Sequence, residues 1–329
     1  MSRFFGGVHP RYNKDLASGR AIEAMPMPEK LVVHFTQNLG APPEPVVEKG
    51  SEVKKGQIIA KATGFVSAPV HAPTSGVIKS IDLYPHPVGT DMPAALLVPD
   101  GKDEWLEGCN VERDAASLDP AAVKKIIQEA GLVGMGGASF PTHVKLSPPE
   151  DKPIDLLILN GAECEPYLTA DHRLMLEQSG GILEGAALFA RVLGVERVIV
   201  AIEKNKPDAV ETMRAAAKER KGFSVEALDV VYPQGAEKQL IFALTRRRVP
   251  AGGLPMDVGV LVQNVGTAFA AFEAVRFARP LVQRVLTVTG GAVENPKNLL
   301  ARVGTTFEDC LLYTSDAADE EDSVDLGGR

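Results

Sequence analysis

Between Asp119 and Gly290 the chain alternates two hydrophobic periods, and that alternation restricts it to a small set of folds. Five short apolar runs have the length and β-branched content of buried strands: IDLLILN (154–160), RVIVAI (197–202), FSVEALDVV (223–231), VGVLVQN (258–264) and RVLTVTG (284–290). Helical patterns separate most of them, notably LMLEQSGGILEGAALFARVLG and KPDAVETMRAAAKER. Strands that alternate with helices form a mostly parallel sheet covered on both faces, and its ligands lie beyond the strands' C-terminal ends. Ahead of the first run, DPAAVKKIIQEAG is punctuated as a helix, with Asp119 as N-cap, Pro120 at its first position and Gly131 past its end.

Residues 31–105 follow a different rule. Here VVEKGSEVKKGQIIAKATGFVSAPVHAPTSGVIKSI alternates apolar and polar positions between glycine turns at Gly50, Gly56, Gly64 and Gly76, the pattern of a compact all-β barrel or sandwich. The segment resembles biotinyl and lipoyl carrier barrels through EVKKG and HAPTSG. The hairpin that presents a modified lysine in such carriers reads TGFVSAPV here, so a structural barrel is expected; Lys61, just upstream, is the nearest lysine. The expected fold class is therefore α/β, an N-terminal all-β barrel-sandwich domain followed by a Rossmann-like α/β domain with a mostly parallel sheet. The divisions are an N-terminal extension (1–30), the barrel (31–105), the α/β domain (115–290), the start of a C-terminal region (291–309) and a tail (310–329).

Composition narrows the partners. The formal charge of −8 comes mostly from the last 20 residues, which hold six acids and one base; the body is nearly neutral, with no basic stripe, so nucleic acid is not an expected partner. No apolar stretch approaches the roughly 18 residues of a membrane helix, and MSRFFGGVHPRYNK has no secretion-signal core, so any membrane role is expected to be peripheral. Cys109, Cys164 and Cys310 match neither a disulfide framework nor a metal motif. One codon choice for CLLYTSDAADE reads as a transposase sequencing adapter in frame. The expectation is that the natural sequence stops near Asp309, that 310–329 is non-native and that Cys310 is not a biological residue.

Four stretches carry candidate chemistry. GLVGMGGASFPTHVKL (131–146) follows a helix rather than a strand and has Ser139 where a dinucleotide fingerprint needs its third glycine, so a Rossmann site of the usual kind is disfavoured. Its glycines either admit an anion or flat ring to the backbone, with Lys145 as a phosphate partner and the helix begun by FPTHVKL offering its N-terminus, or form a joint. LNGAECEPYLTADHRLM places Asn160, Glu163 and Glu165 at a strand end, suited to a nicotinamide amide, a ribose or an isoalloxazine edge, or simply solvated. Cys164 lies between two acids, which raise a thiol's pKa, so it reads as a packing residue; His172 reads as a surface or helix-start histidine. VYPQGAEKQLIFAL places Tyr232, Gly235 and Glu237 before and in a helix, and LVQNVGTAFAAF places Asn264 and Thr267 between strand and helix; both also read as turn and cap chemistry.

In their order, GGVHPRYNK, GFVSAPVHAPTSG, GLVGMGGASFPTHVKL, NGAECEPYLTADHRLM, YPQGAEKQLI, VPAGGLP, QNVGTA and VTGGAVENPKNLL resemble the C subunit of the Rnf ion-translocating ferredoxin:NAD oxidoreductase complex. The resemblance spans residues 5–309. The middle domain is also similar to the flavin-bearing NADH-oxidising subunit of respiratory complex I, at GMGGASFPT and NGAECEP. This implies that Gly134, Gly136, Gly137, Lys145, Asn160, Glu163, Tyr232, Gly235, Asn264 and Thr267 cradle FMN. It implies further that Phe140 stacks on the adenine of NAD(H), and that Glu165 and Glu237 face its nicotinamide end. No side chain is implied as acid or base.

The resemblance implies an electron-transfer subunit on the cytoplasmic side of the bacterial inner membrane, partnered by other subunits of the complex and by ferredoxin-derived electrons. The family's two 4Fe-4S clusters ride on cysteine runs downstream, with no ligands here. Met135, Ala162 and Ala236 replace an arginine, an aspartate and a glutamate of the complex I pattern. Two alternatives share parts of these features, a docking scaffold without cofactor and a sodium-pumping quinone-reductase subunit; the latter should lack NGAECEP.

Overall fold

The computed structural model describes residues 6–315; the expected tail from 316 onward lies outside the described residues. A short strand, β1 (Ile22–Ala24), precedes seven barrel strands: β2 (Leu31–His34), β3 (Glu44–Pro45), β4 (Glu52–Val53), β5 (Ile58–Lys61), β6 (Val70–His71), β7 (Gly76–Pro85) and β8 (Asp91–Pro99). They form two sheets, β2-β8-β7-β4 and β3-β5-β6. Alternate residues, among them Leu31, Val33, Ile59, Ile78 and Leu97, are buried between them, as the period-two pattern requires.

Helix α1 (Pro120–Glu129) follows, with Asp119 accepting from the Ala122 N–H at 2.8 Å. Its exit is tight: Gly131 has φ +68°, and a Cβ there would lie 2.3 Å from the Pro69 carbonyl of the barrel. A one-turn helix α2 (Thr142–Lys145) ends the glycine-rich loop. The barrel touches this loop directly, through Leu39 N–H to Ser139 O at 3.0 Å and His143 Nε2 to Phe65 O at 2.9 Å.

The α/β body runs β9 (Leu156–Gly161), α3 (Ala170–Glu177), α4 (Ser179–Leu193), β10 (Val198–Glu203), α5 (Pro207–Ala217), β11 (Phe223–Leu228), α6 (Glu237–Thr245), β12 (Val260–Asn264) and α7 (Val265–Phe277). Its four strands are parallel in the order β11-β10-β9-β12. One face of the sheet packs on α1, α3, α4, α5 and α7, and the other on α6 through Leu240 and Ile241. The chain moves outward from β9 to β11, then returns to place β12 on the other side of β9. The order reverses between β9 and β12, where α/β sheets hold their ligands.

The fifth expected strand is elsewhere. β13 (Gln283–Val288) pairs antiparallel with β14 (Lys297–Arg302), and β14 pairs parallel with β1. An apolar run reveals a strand but not its partner, and this small sheet unites the N-terminal extension with the region after 290. Helix α8 (Phe307–Tyr313) closes the described chain, where the sequence showed no sustained period; it buries Cys310 against Met25.

Candidate functional site

At the reversal point Asn160, near the end of β9, is the register partner of Asn264, the last residue of β12. Both side chains are committed to the loops. Asn160 donates to Gly235 O at 2.8 Å and accepts from Ala162 N at 3.1 Å. Asn264 caps α7, accepting from Gly266 N at 2.8 Å and Thr267 N at 3.2 Å, and donates to Asp171 Oδ2 at 2.6 Å. The glycine-rich loop lies against this cap: a Cβ on Gly136 would meet the Asn264 Cβ at 3.4 Å, and Met135 N–H donates to Thr267 Oγ1 at 2.9 Å.

The four expected loops therefore converge at one end of the parallel sheet. Gly136 and Gly137 are exposed, and Gly137, at φ +118° with nothing within 4 Å of where a Cβ would stand, offers open backbone. Gly134 spends its N–H on Phe140 O, closing the loop at 2.9 Å. Lys145 pairs with Glu237 at 2.6 Å, joining α2 to the start of α6. Tyr232 donates its phenol to Glu165 at 2.9 Å. Glu163 does not extend outward: its carboxylate accepts from Asp171 N at 2.7 Å and His172 N at 3.3 Å, capping α3. Ser139, Glu163 and Tyr167 all have positive φ, and a non-glycine residue held there costs roughly 1–3 kcal/mol, strain of a kind concentrated at functional sites.

Several sequence expectations need amendment. The one-turn α2 is too short to sum peptide dipoles, so the positive helix end beside Gly136 is that of α7. His172 starts α3 but is not at the surface; it is buried and pairs with Asp208 at 2.8 Å. Cys164 is buried beside the Gly235 N–H at 3.3 Å, and burial, ahead of the Glu203 and Glu165 charges, pushes its thiol up, as suits a packing cysteine.

Sequence reasoning missed three participants. Lys14, with a side chain only 10 % exposed, donates to the carbonyls of Glu165 and Leu168 and lies 4.0 Å from Glu163. Together with the Val8–Tyr232 bridge and the Tyr167 N–H to Tyr12 O bond at 2.7 Å, it makes the GGVHPRYNK segment a strap across two site loops. Asn298 of β14 anchors the same loop, accepting from Thr169 Oγ1 at 2.7 Å. Asp171 stands between Glu163 and Asn264; burial and the Glu163 charge raise its pKa to about 7. Of the three, only Asp171 carries a visible signal, an acid opening a helix after a strand-end loop.

Comparison with known proteins is consistent with this geometry. Residues 2–102 match the RnfC barrel sandwich hybrid domain, and residues 127–273 match the Nuo51 FMN-binding domain. The chain is 50% identical over its whole length to the C subunit of the proton-translocating ferredoxin:NAD(+) oxidoreductase complex of Clostridium ljungdahlii, covering 72% of that protein. The chain belongs to the RnfC family. A second member, the C subunit of the Na(+)-translocating complex of Acetobacterium woodii, is 41% identical over 99% of the chain and 73% of its own length. Among solved structures, an NAD+-reducing NiFe hydrogenase in its air-oxidised state superposes with a TM-score of 0.53 at 25% identity, over 62% of this chain and 40% of that one. Membership of the RnfC family accounts for both halves of the molecule, the barrel and the flavin-type α/β body.

Proposed function

We propose that this chain exchanges hydride between NAD(H) and FMN at the strand-end site, as the electron-transfer subunit of a membrane-peripheral ferredoxin:NAD oxidoreductase complex. The observation that carries the reading is the meeting of Gly136, Asn160 and Asn264 at the sheet's reversal point, under the N-terminus of α7. The residues fit a flavin nucleotide: exposed glycine backbone and Lys145 suit its phosphate, and the Asn160, Gly235 and Asn264 loops suit the ring edge. When bound, FMN accepts a hydride and returns its electrons singly. The chain's own work is positioning, with Phe140, Glu165 and Glu237 holding NAD(H) against the ring.

No helix among the described residues is long and apolar enough to cross a membrane; attachment through other subunits, on the cytoplasmic side, is part of the same proposal. The 4Fe-4S clusters implied by the resemblance have no ligand set among the described residues. The test is direct. The purified chain, supplied with FMN, should show a bound-flavin spectrum that bleaches with NADH under anaerobic conditions. Binding without bleaching would remove the nicotinamide half of the reading, and no binding would favour a docking scaffold.

A further inference from the structure

Next to the glycine-rich loop lies a small cavity of about 40 Å³, room for a few waters, lined by Met135, Asp171, Gly266, Glu273, Gln283 and Arg284 among others. A second, of about 10 Å³, room for about one water, shares Ala270, Glu273 and Gln283 with it. Asp171 is the link to the site. One of its oxygens is bonded to Asn264, whose Cβ would lie 3.4 Å from a Cβ on Gly136, and the other faces Gly266, where a Cβ would lie 3.5 Å away, beside Met135. Glu273 stands where the two cavities join, bonded to Arg279 at 3.2 Å. No part of the hydride exchange proposed above uses either carboxyl.

We propose that Asp171 and Glu273 form a proton outlet from the nucleotide site through these cavities. The inference rests on the hydride-exchange reading. NADH becomes NAD+ by losing a hydride, which is two electrons and one proton; two one-electron carriers of the ferredoxin class take the electrons, so the proton needs a separate base. Asp171 accepts it on the oxygen facing the cavity and releases it toward Glu273 and water, while NAD+ and two reduced carriers complete the balance. In the opposite direction the same path supplies the proton.

The surroundings of Asp171 suit a carboxyl that changes state near neutral pH. Glu163 faces it from the loop after β9, Lys206 from the start of α5, Arg284 from β13 and Lys14 from the strap through Glu163; His172 is engaged by Asp208. Burial and the Glu163 charge push Asp171 up, while Asn264, Arg284 and Lys206 pull it down. Burial likewise pushes Glu273 up, opposed by Arg279.

The experiment uses the full chain with bound FMN, wild type beside Asp171→Asn and Glu273→Gln. Proton release is followed with an indicator dye in weak buffer while ferricyanide, a one-electron oxidant, reoxidises the NADH-reduced flavin. Infrared difference spectra record the protonated carboxyl band. The expected result is release slowed roughly tenfold or more in both variants relative to NADH bleaching, with the band lost in Asp171→Asn. If Asp171→Asn loses its flavin, Glu273→Gln decides. Unchanged release in a flavin-bearing variant, or no carboxyl band that Asp171→Asn removes, overturns the outlet alone. A wild type that binds no flavin, or does not bleach, overturns the underlying reading and the outlet with it.

Discussion

Lys14→Met removes the ammonium that holds the strap to the site and keeps a stem of similar shape. The wild-type ammonium donates to two loop carbonyls, Glu165 and Leu168, and approaches Glu163. Hydrogen bonds from a charged donor contribute about 1.5–3 kcal/mol each. Burial lowers the Lys14 pKa against the opposing pull of Glu163, so desolvation offsets a good part of that gain. A net loss of about 2 kcal/mol from the loop is the expected size. At about 1.4 kcal/mol per factor of ten, the amides of residues 163–169 should then open about thirtyfold more often. The Val8–Tyr232 bridge and the Tyr12–Tyr167 bond remain, so the change should be local. Hydrogen exchange read by mass spectrometry on peptides spanning 163–169 checks this, with an NADH titration beside it showing a raised KM. Unchanged exchange in that loop, or protection lost evenly over the whole molecule, would show that Lys14 only fills space.

Three further perturbations test separate parts of the structure. Asp171 has a folded pKa raised to about 7, so its contribution to stability is complete below about pH 4 and is lost as pH rises through about 7; Asp171→Asn should therefore match wild type in Tm near pH 4 and exceed it near pH 8, and parallel profiles would contradict the shift. Gly137→Ala places a side chain at φ +118° in open space, a conformational cost of about 1–2 kcal/mol with no clash, and should lower the FMN-to-protein ratio on gel filtration; full retention would mean the loop is only a joint. Glu203 and Lys206 are fully buried with 3.5 Å between charges, and burial raises Glu203 against the pull of Lys206. Lys206→Met alone should cost about 3–5 kcal/mol in denaturant unfolding and the double change Glu203→Gln with Lys206→Met much less, whereas equal losses would place the effect in packing.

Much of this architecture was legible because strand and helix periods are local properties. The apolar runs from 154 to 264 became β9 to β12, and Asp119, Pro120 and Gly131 bounded α1 as their chemistry requires. What the sequence does not carry is partnership. RVLTVTG reads like its four predecessors, yet it joins an antiparallel pair because β14 and β1, lying at opposite ends of the chain, supply an edge that the parallel sheet does not. The strap was hidden for the same reason: nothing local to GGVHPRYNK shows that Lys14 meets a loop about 150 residues away. Asn160 and Asn264 were visible as loop polar residues, but their adjacency exists only once β12 is placed beside β9.

The three departures from the complex I pattern take on a physical meaning in this setting. At position 135 the loop is fixed by a backbone N–H bonded to Thr267, while the methionine side chain lines the cavity, so the anchoring contact does not depend on which side chain is present. Ala162 is fully buried, within van der Waals reach of where a Cβ on Gly235 would stand, and an aspartate there would have to find hydrogen-bond partners out of water. Ala236 precedes α6 and is exposed, and the acid that matters at that helix start, Glu237, is present and paired with Lys145. Two of the missing charges thus lie where this backbone does not use a side chain, and the third at a fully buried position where a carboxylate is costly. Their loss leaves the convergence of the four loops intact, which is what a cofactor-binding member of the family needs and a scaffold that had shed its cofactor would have no reason to keep.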